Sequence, residues 1–360
     1  MKTVSYIEVQ QPIGTFYLCA IPAKELLAIV KVDERTTLDD DGVQREQSKE
    51  RITKIGQYCS DPDAVFPTPI VVSVRESNEV IVNESEHTIS YPEDKIIGSV
   101  LDGQHRLWGI EQSVYRDKFI LPVVFMFDLT KEEEAYIFAT INSNQRKVNM
   151  SLIFDLYENS RHHSPGKTAH YIARTLNSQK ESPFFNRLKM LGKKEEGQEK
   201  ATISQGTFAK AIVTLISKRP DEDTIRVKRG EPLIPDSSLP FRDFYIQEKD
   251  TVIAKILFNC FNALKYVFPE EWENPDDYVL WKTTGFLGII KAMPQMYDLG
   301  KINRTLEEKF FIKCFEAFKD KLKEKGKTLN SKHFPGGGDQ VQAMFADLLV
   351  ESLNNVDFDK

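Results

Sequence analysis

No apolar run in this 360-residue chain reaches the ~20 residues that a membrane-spanning helix needs. Met1-Lys2-Thr3 leads into polar sequence, not into the apolar core of a signal peptide, so a soluble cytoplasmic protein with no membrane partner is expected. Cysteine is scarce. Cys19, Cys59, Cys260 and Cys314 stand far apart, which gives neither zinc spacing nor a disulfide framework and fits a reducing compartment. Net basic charge is also missing: 48 Lys and Arg stand against 54 Asp and Glu, a formal net charge of −6. That excludes a protein that coats nucleic acid by bulk charge, so any DNA contact must come from a local patch. No HExxH, GxSxG or paired-carboxylate constellation points to hydrolytic chemistry.

What is present is ordinary globular texture, 41% hydrophobic and 28% charged, in a length sufficient for two cores. Val4 to Leu18 reads as two strands around Gln11-Pro12-Ile13-Gly14, and Ile21 to Val32 as a short helix or a strand. Asp39-Asp40-Asp41-Gly42 reads as a solvated turn and Arg51 to Tyr58 as a helix. Short strands follow at Ile70–Val74, Glu79–Asn83 and His87–Tyr91, then a buried one at Leu121–Phe127. Thr130 with Glu133 forms a capping box for a helix whose apolar face is Ala135, Phe138, Ala139 and Ile141. From Ser151 onward the periodicity is helical throughout, without convincing strand pairs. The expected fold is α+β: an α/β domain with a mixed sheet over 1–150, then an all-α domain over 151–360.

The chain is organised around Val100-Leu101-Asp102-Gly103-Gln104-His105-Arg106. A β-branched run ends at Asp102-Gly103, and Leu107, Ile110 and Val114 start a helical period at once. Asp102 reads as the N-cap and Gly103 as a tight turn. The first helical turn then carries Gln104, His105 and Arg106 beside free N–H groups, an anion site with an exposed bidentate cation. A second polar group, Asn142, Ser143, Asn144, Gln145, Arg146 and Lys147, ends the helix from Thr130 and suits a base edge, a water or a metal shell.

Asp102 to Arg106 resembles the signature of the DGQHR-domain family, which includes the DndB proteins of bacterial DNA phosphorothioation systems. It is also similar to the DGQQR box of DUF262-type NTPase domains, with His105 for the second Gln, and to the wider ParB/sulfiredoxin superfamily. Gly42-Val43-Gln44-Arg45 and Phe66-Pro67-Thr68-Pro69-Ile70-Val71 upstream, and Phe138 to Val148 downstream, fit the family in order and spacing. The resemblance covers about residues 1–220. It implies a ParB/sulfiredoxin-like domain that binds a nucleoside triphosphate with Mg²⁺, NTP hydrolysis as an activity, and DNA binding within a DNA-modification system alongside its enzymes. Under that reading Gly103, Gln104 and Arg106 hold phosphate, and Asp102 positions a Mg²⁺-bound water. His105 is a phosphate ligand or proton donor, Gln44 and Arg45 face it from another loop, and Asn142, Asn144 and Gln145 contact base, ribose or metal.

Residues Arg187 to Gly230 hold eleven cations against six anions, a local positive excess in a chain of net negative charge. There the helix Ser204–Ile216 is a candidate recognition helix. Gln205 and Thr207 would reach base edges, and Lys193, Lys194, Lys210, Lys218, Arg219, Arg226 and Lys228 would hold phosphates. Ser164-Pro165-Gly166-Lys167-Thr168 ends like a P-loop but has Arg161 where the motif needs Gly, so it reads as a helix start. His162, His163 and His170 lack further ligands at metal spacing and read as surface imidazoles. Two other classes stay open: a non-catalytic DNA-binding transcriptional regulator, and a metal-dependent nuclease built on Asp102. Assembly into a homo-oligomer is compatible with each.

Overall fold

The period-two pattern at the start of the chain becomes a hairpin. β1 (Lys2–Gln11) and β2 (Gly14–Pro22) pair antiparallel, with Tyr6 opposite Cys19. The computed structural model describes residues 1–31, 49–75, 79–143 and 149–356. They divide into two compact units, Met1–Lys147 and Val148–Lys360.

In the first unit the hairpin is followed by α1 (Ala23–Ile29), β3 (Val30–Lys31), α2 (Lys49–Cys59) and β4 (Ile70–Val74). Then come β5 (Ile81–Asn83), β6 (Thr88–Tyr91), β7 (Gly98–Asp102), α3 (Gln104–Glu111), β8 (Ile120–Phe127) and α4 (Lys131–Ser143). The described part of the segment expected as a helix or a strand therefore supplies both, α1 and then β3. All eight strands join one mixed sheet in the order β3-β7-β4-β8-β2-β1-β6-β5. β4 runs parallel to β8 and antiparallel to β7, and β3 runs parallel to β7. The middle strands are apolar nearly throughout, as strands covered on both faces must be: Val72, Val100, Val123 and Phe125 are all buried.

β7 carries one extra residue against β4, because Val100 faces Val72 while Asp102 faces Val71. Such a bulge turns the strand end and re-aims its last side chain. At its other end β8 leads to α4 through the expected capping box. Glu133 N–H donates to Thr130 Oγ1 at 3.2 Å, and Thr130 N–H and Oγ1–H donate to the Glu133 carboxylate at 2.8 and 2.9 Å. Those two bonds hold the Glu133 carboxyl below its ordinary pKa. α4 buries the expected face only in part, with Phe138 and Ile141 half-buried. Ala135 and Ala139 are exposed, whereas Glu134 is buried and accepts from Ser73 Oγ of β4 at 2.7 Å. A carboxylate fixed by a sheet hydroxyl outweighs the small area that two alanines can bury.

The described residues of the second unit are mainly helical, with a two-residue parallel ladder of β9 (Leu188–Lys189) and β10 (Ile203–Ser204) and an isolated bridge between Tyr278 and Asn330. Its helices are α5 (Met150–Leu156), α6 (Pro165–Ser178), α7 (Gln205–Ile216), α8 (Pro220–Lys228), α9 (Arg242–Ile246) and α10 (Asp250–Val267). α11 (Pro269–Glu273), α12 (Thr283–Ile302), α13 (Glu308–Glu324) and α14 (Asp339–Leu353) complete it. An aromatic core of Phe184, Phe208, Phe261, Phe286, Trp272 and Trp281 holds these helices together. Each such ring contributes about 1.5–3 kcal/mol on burial. Among the described residues no helix is long and apolar enough to cross a membrane.

Candidate functional site

The Asp102–Arg106 box sits where β7 passes into α3. Gly103 adopts φ +102°, a left-handed conformation that a side chain would strain, and an added Cβ would lie 2.4 Å from Ile70 Cδ1. Only glycine fits the turn. The N-cap of α3 is Gly103 itself, with no side-chain cap, and no acidic residue stands in the first turn. No side chain therefore bonds the amide end of the helix as a cap. This corrects the expectation that Asp102 caps the helix. The bulged strand directs the Asp102 carboxylate elsewhere: Oδ2 accepts from Arg106 Nη2 at 2.6 Å.

Arg106 is likewise not the exposed cation expected. Its side chain is 15% exposed. Nη1 donates to Thr68 O and Thr68 Oγ1, both at 2.7 Å, and Nη2 also donates to Pro69 O at 3.1 Å. Burial pulls its pKa below the ordinary guanidinium value, against the opposing pull of Asp102. The arginine therefore clasps the turn to the Thr68-Pro69 segment that opens β4. The sequence pattern alone assigns Thr68 and Pro69 no role. The signal in that segment is a hydroxyl residue between two prolines directly before a strand.

Gln104 is 6% exposed, and its Oε1 has no hydrogen-bond partner among the described residues. An amide oxygen in that state costs free energy unless a ligand or water meets it. The His105 ring packs edge-on to Trp108 at 5.6 Å. Gln44, Arg45, Asn144 and Gln145 lie outside the described residues, as does the Asp39–Asp41 turn, and Asn142 is described only as the backbone of α4. Among the described residues no group of three or more His, Cys, Asp and Glu side chains is arranged to hold a metal ion.

The candidate DNA residues are less uniform than their sequence suggests. Gln205 is fully buried in α7, its Nε2 paired with His170 Nδ1 at 2.7 Å, so it cannot reach a base edge in this fold. Arg187 is buried too, over the rings of Trp272 and Trp281 and bonded to Glu273 at 3.0 Å. Carboxylates from beyond the basic segment offset much of its charge: Glu273 pairs with Lys200, Asp236 with Lys218, and Glu231 with Arg226 and Arg229. Lys193, Lys194 and Lys210 are exposed, Lys194 donating to Glu199 O. Lys228 lies in the last turn of α8. Lys218, Arg219 and Arg226 line one cavity.

The histidines differ from expectation as well. His170 is 3% exposed, and burial lowers its pKa. His163 meets Asp250 at 3.2 Å and stacks on Tyr245, so only His162 is a surface imidazole. Gly166-Lys167-Thr168 does open a helix, capped by Ser164.

A mixed-sheet unit with a left-handed glycine turn and a clasped arginine, followed by a helical unit, defines an α+β protein of the DGQHR-box class. The model of the DndB family, described as DNA-sulfur modification-associated, matches residues 5–231, and the chain belongs to that family. No curated protein matches it. Among solved structures it is similar to the C-terminally truncated chromosome-partitioning protein ParB from Caulobacter crescentus, complexed with CTP-gamma-S. Identity there is 11% and the TM-score 0.26, over 66% of this chain and 91% of that one.

Proposed function

We propose that this DndB-family protein is a DNA-binding regulator or component of a phosphorothioation-type DNA-modification system, and that its box holds the phosphate of a nucleotide. The observation that carries the reading is the family match over residues 5–231, which spans the Asp102–Arg106 box and the basic segment together. The uncapped amide end of α3 and the unpartnered Gln104 Oε1 fit an anionic ligand with a nearby hydrogen-bond donor. A bound nucleoside triphosphate would supply that phosphate, with Mg²⁺ as its counter-ion. In this chain's own residues, Gly103 lets the backbone approach the ligand, Gln104 offers an acceptor, and Arg106 fixes the turn from behind.

That the Nη donors of Arg106 bond to protein groups favours the non-catalytic regulator as the second reading, because donors already committed to Thr68, Pro69 and Asp102 are not offered to a transferring phosphoryl group. A thermal-shift screen with each NTP and Mg²⁺, run with fluorescence anisotropy on duplex DNA across a salt series, tests the proposal. A nucleotide-dependent rise in melting temperature together with salt-dependent DNA binding is expected. Absence of both would sink it. Phosphate release then separates hydrolysis from binding alone, and Mg²⁺-dependent plasmid nicking would reveal a nuclease.

A further inference from the structure

At the N-terminal end of α8 a cavity of about 230 Å³ opens between Ser217–Arg219, α8 and the Ile234–Arg242 segment. Its floor is closed. Arg242 Nη2 donates to Asp223 Oδ1 at 2.9 Å while Nη1 meets Oδ2, Ser217 Oγ donates to Oδ2 at 2.5 Å, and Arg242 Nε donates to Ile234 O at 2.8 Å. Lys218 on the rim is tied to Asp236 at 2.9 Å and to Ser238 at 2.7 Å.

Arg226 differs from both. Its side chain is 28% exposed, yet Nε lies 3.6 Å from Glu222 and Nη1 3.6 Å from Glu231. These are loose ion pairs, beyond hydrogen-bond reach. Arg106, Arg187 and Arg242 each place their guanidinium N–H groups on oxygens at bonding distance. Arg226 is half-buried and its planar fork has no such bond among the described residues. Arg219, 78% exposed, shares the same Glu222 at 3.2 Å. Two arginines thus lean on one carboxylate across a cavity, an arrangement that a tetrahedral oxyanion completes by taking a bidentate contact from the fork.

We propose that this cleft binds a phosphate group, that of a DNA phosphodiester, with Arg226 and Arg219 as its grips and Glu222 as the internal carboxylate it displaces. The inference rests on the DNA-binding reading and assigns the contact to a place. The experiment is anisotropy on a labelled duplex across a salt series, with inorganic phosphate as a separate probe and circular dichroism as the check on folding. Arg226→Gln should weaken binding about tenfold and reduce the slope of log K against log salt by about 0.9, the release of one counter-ion. Arg226→Lys should keep the slope while weakening affinity, because charge stays and the fork is lost. Glu222→Gln should tighten binding, a sign that a purely structural role for the pair does not produce.

Parental affinity and slope in folded Arg226→Gln and Glu222→Gln overturn the cleft while leaving DNA binding standing. If the parent binds no DNA, the broader reading fails instead, and inorganic phosphate decides the cleft. A melting temperature raised in the parent but not in Arg226→Gln supports a phosphate site supplied from free solution; no rise in the parent rules it out.

Discussion

Arg106→Ala should destabilise the first unit sharply, although an arginine in a first helical turn is usually a solvated residue of little consequence. The substitution removes four hydrogen bonds. Two end on Thr68 at the surface, where water replaces them at little cost. The other two end on Pro69 O and on the Asp102 carboxylate, which is 25% exposed. A lost hydrogen bond to a charged group costs about 1.5–3 kcal/mol, and stranding a fully buried partner about 3–5 kcal/mol. Partial exposure places this clasp between them, at about 2–4 kcal/mol. For a unit of this size that is a fall in melting temperature of roughly 5–12 °C. Thermal and urea unfolding followed by circular dichroism measure it. A cycle with Asp102→Asn should return a coupling of about 1–3 kcal/mol, as contacting charged groups do. Asp102→Asn alone should cost less than Arg106→Ala, since it leaves the Thr68 and Pro69 bonds in place. A melting temperature within experimental error of the parent for Arg106→Ala would refute the clasp and return the guanidinium to solvent.

Gly103→Ala should cost more than about 1 kcal/mol from the left-handed backbone alone, with the Ile70 contact added to it, and urea midpoints will show it. Thr130→Ala removes the cap of α4 and should cost about 1 kcal/mol in the same assay. His170 gives a pH signature. Burial lowers its pKa in the folded protein below the ordinary 6.5, so the unfolded chain takes the proton first. The stability that neutral His170 contributes is complete above about pH 6.5 and is lost as pH falls from there through the folded value. The urea midpoint of the parent should therefore drop between pH 7.5 and pH 5 by more than that of His170→Gln.

The strand, turn and helix at Val100–Ile110 were legible because a β-branched apolar run gives way to helical spacing across a single glycine, and both signals are local. The Thr130 box was legible for the same reason, since its partners lie three residues apart. What failed depended on distant partners. Asp102 has the chemistry of a cap and of an i,i+4 ion pair, and only the bulge against β4 decides between them. Gln205 looks like a base reader until His170, 35 residues earlier in the chain, is seen to hold its amide. The charge excess of Arg187–Gly230 ignored Glu273, Asp236 and Glu231, which lie beyond the segment that was counted. α8 starts with Pro in its first turn and acids after it, a helix-start signal that its thin apolar stripe supports only weakly.

The strand order has a consequence for how the first unit is made. β2 meets β1 at once, but its other edge waits for β8, where Cys19 pairs with Val123. β4 waits for the same strand, Val71 beside Val124. A ribosome takes about 5–20 s to add the intervening hundred or so residues. For that interval the nascent hairpin presents an open edge, a template for pairing with other chains. The late strand is also the one that joins the two halves of the sheet. A fragment ending before Ile120 should therefore aggregate instead of forming a smaller version of the unit, whereas one ending just beyond α4 has every strand it needs.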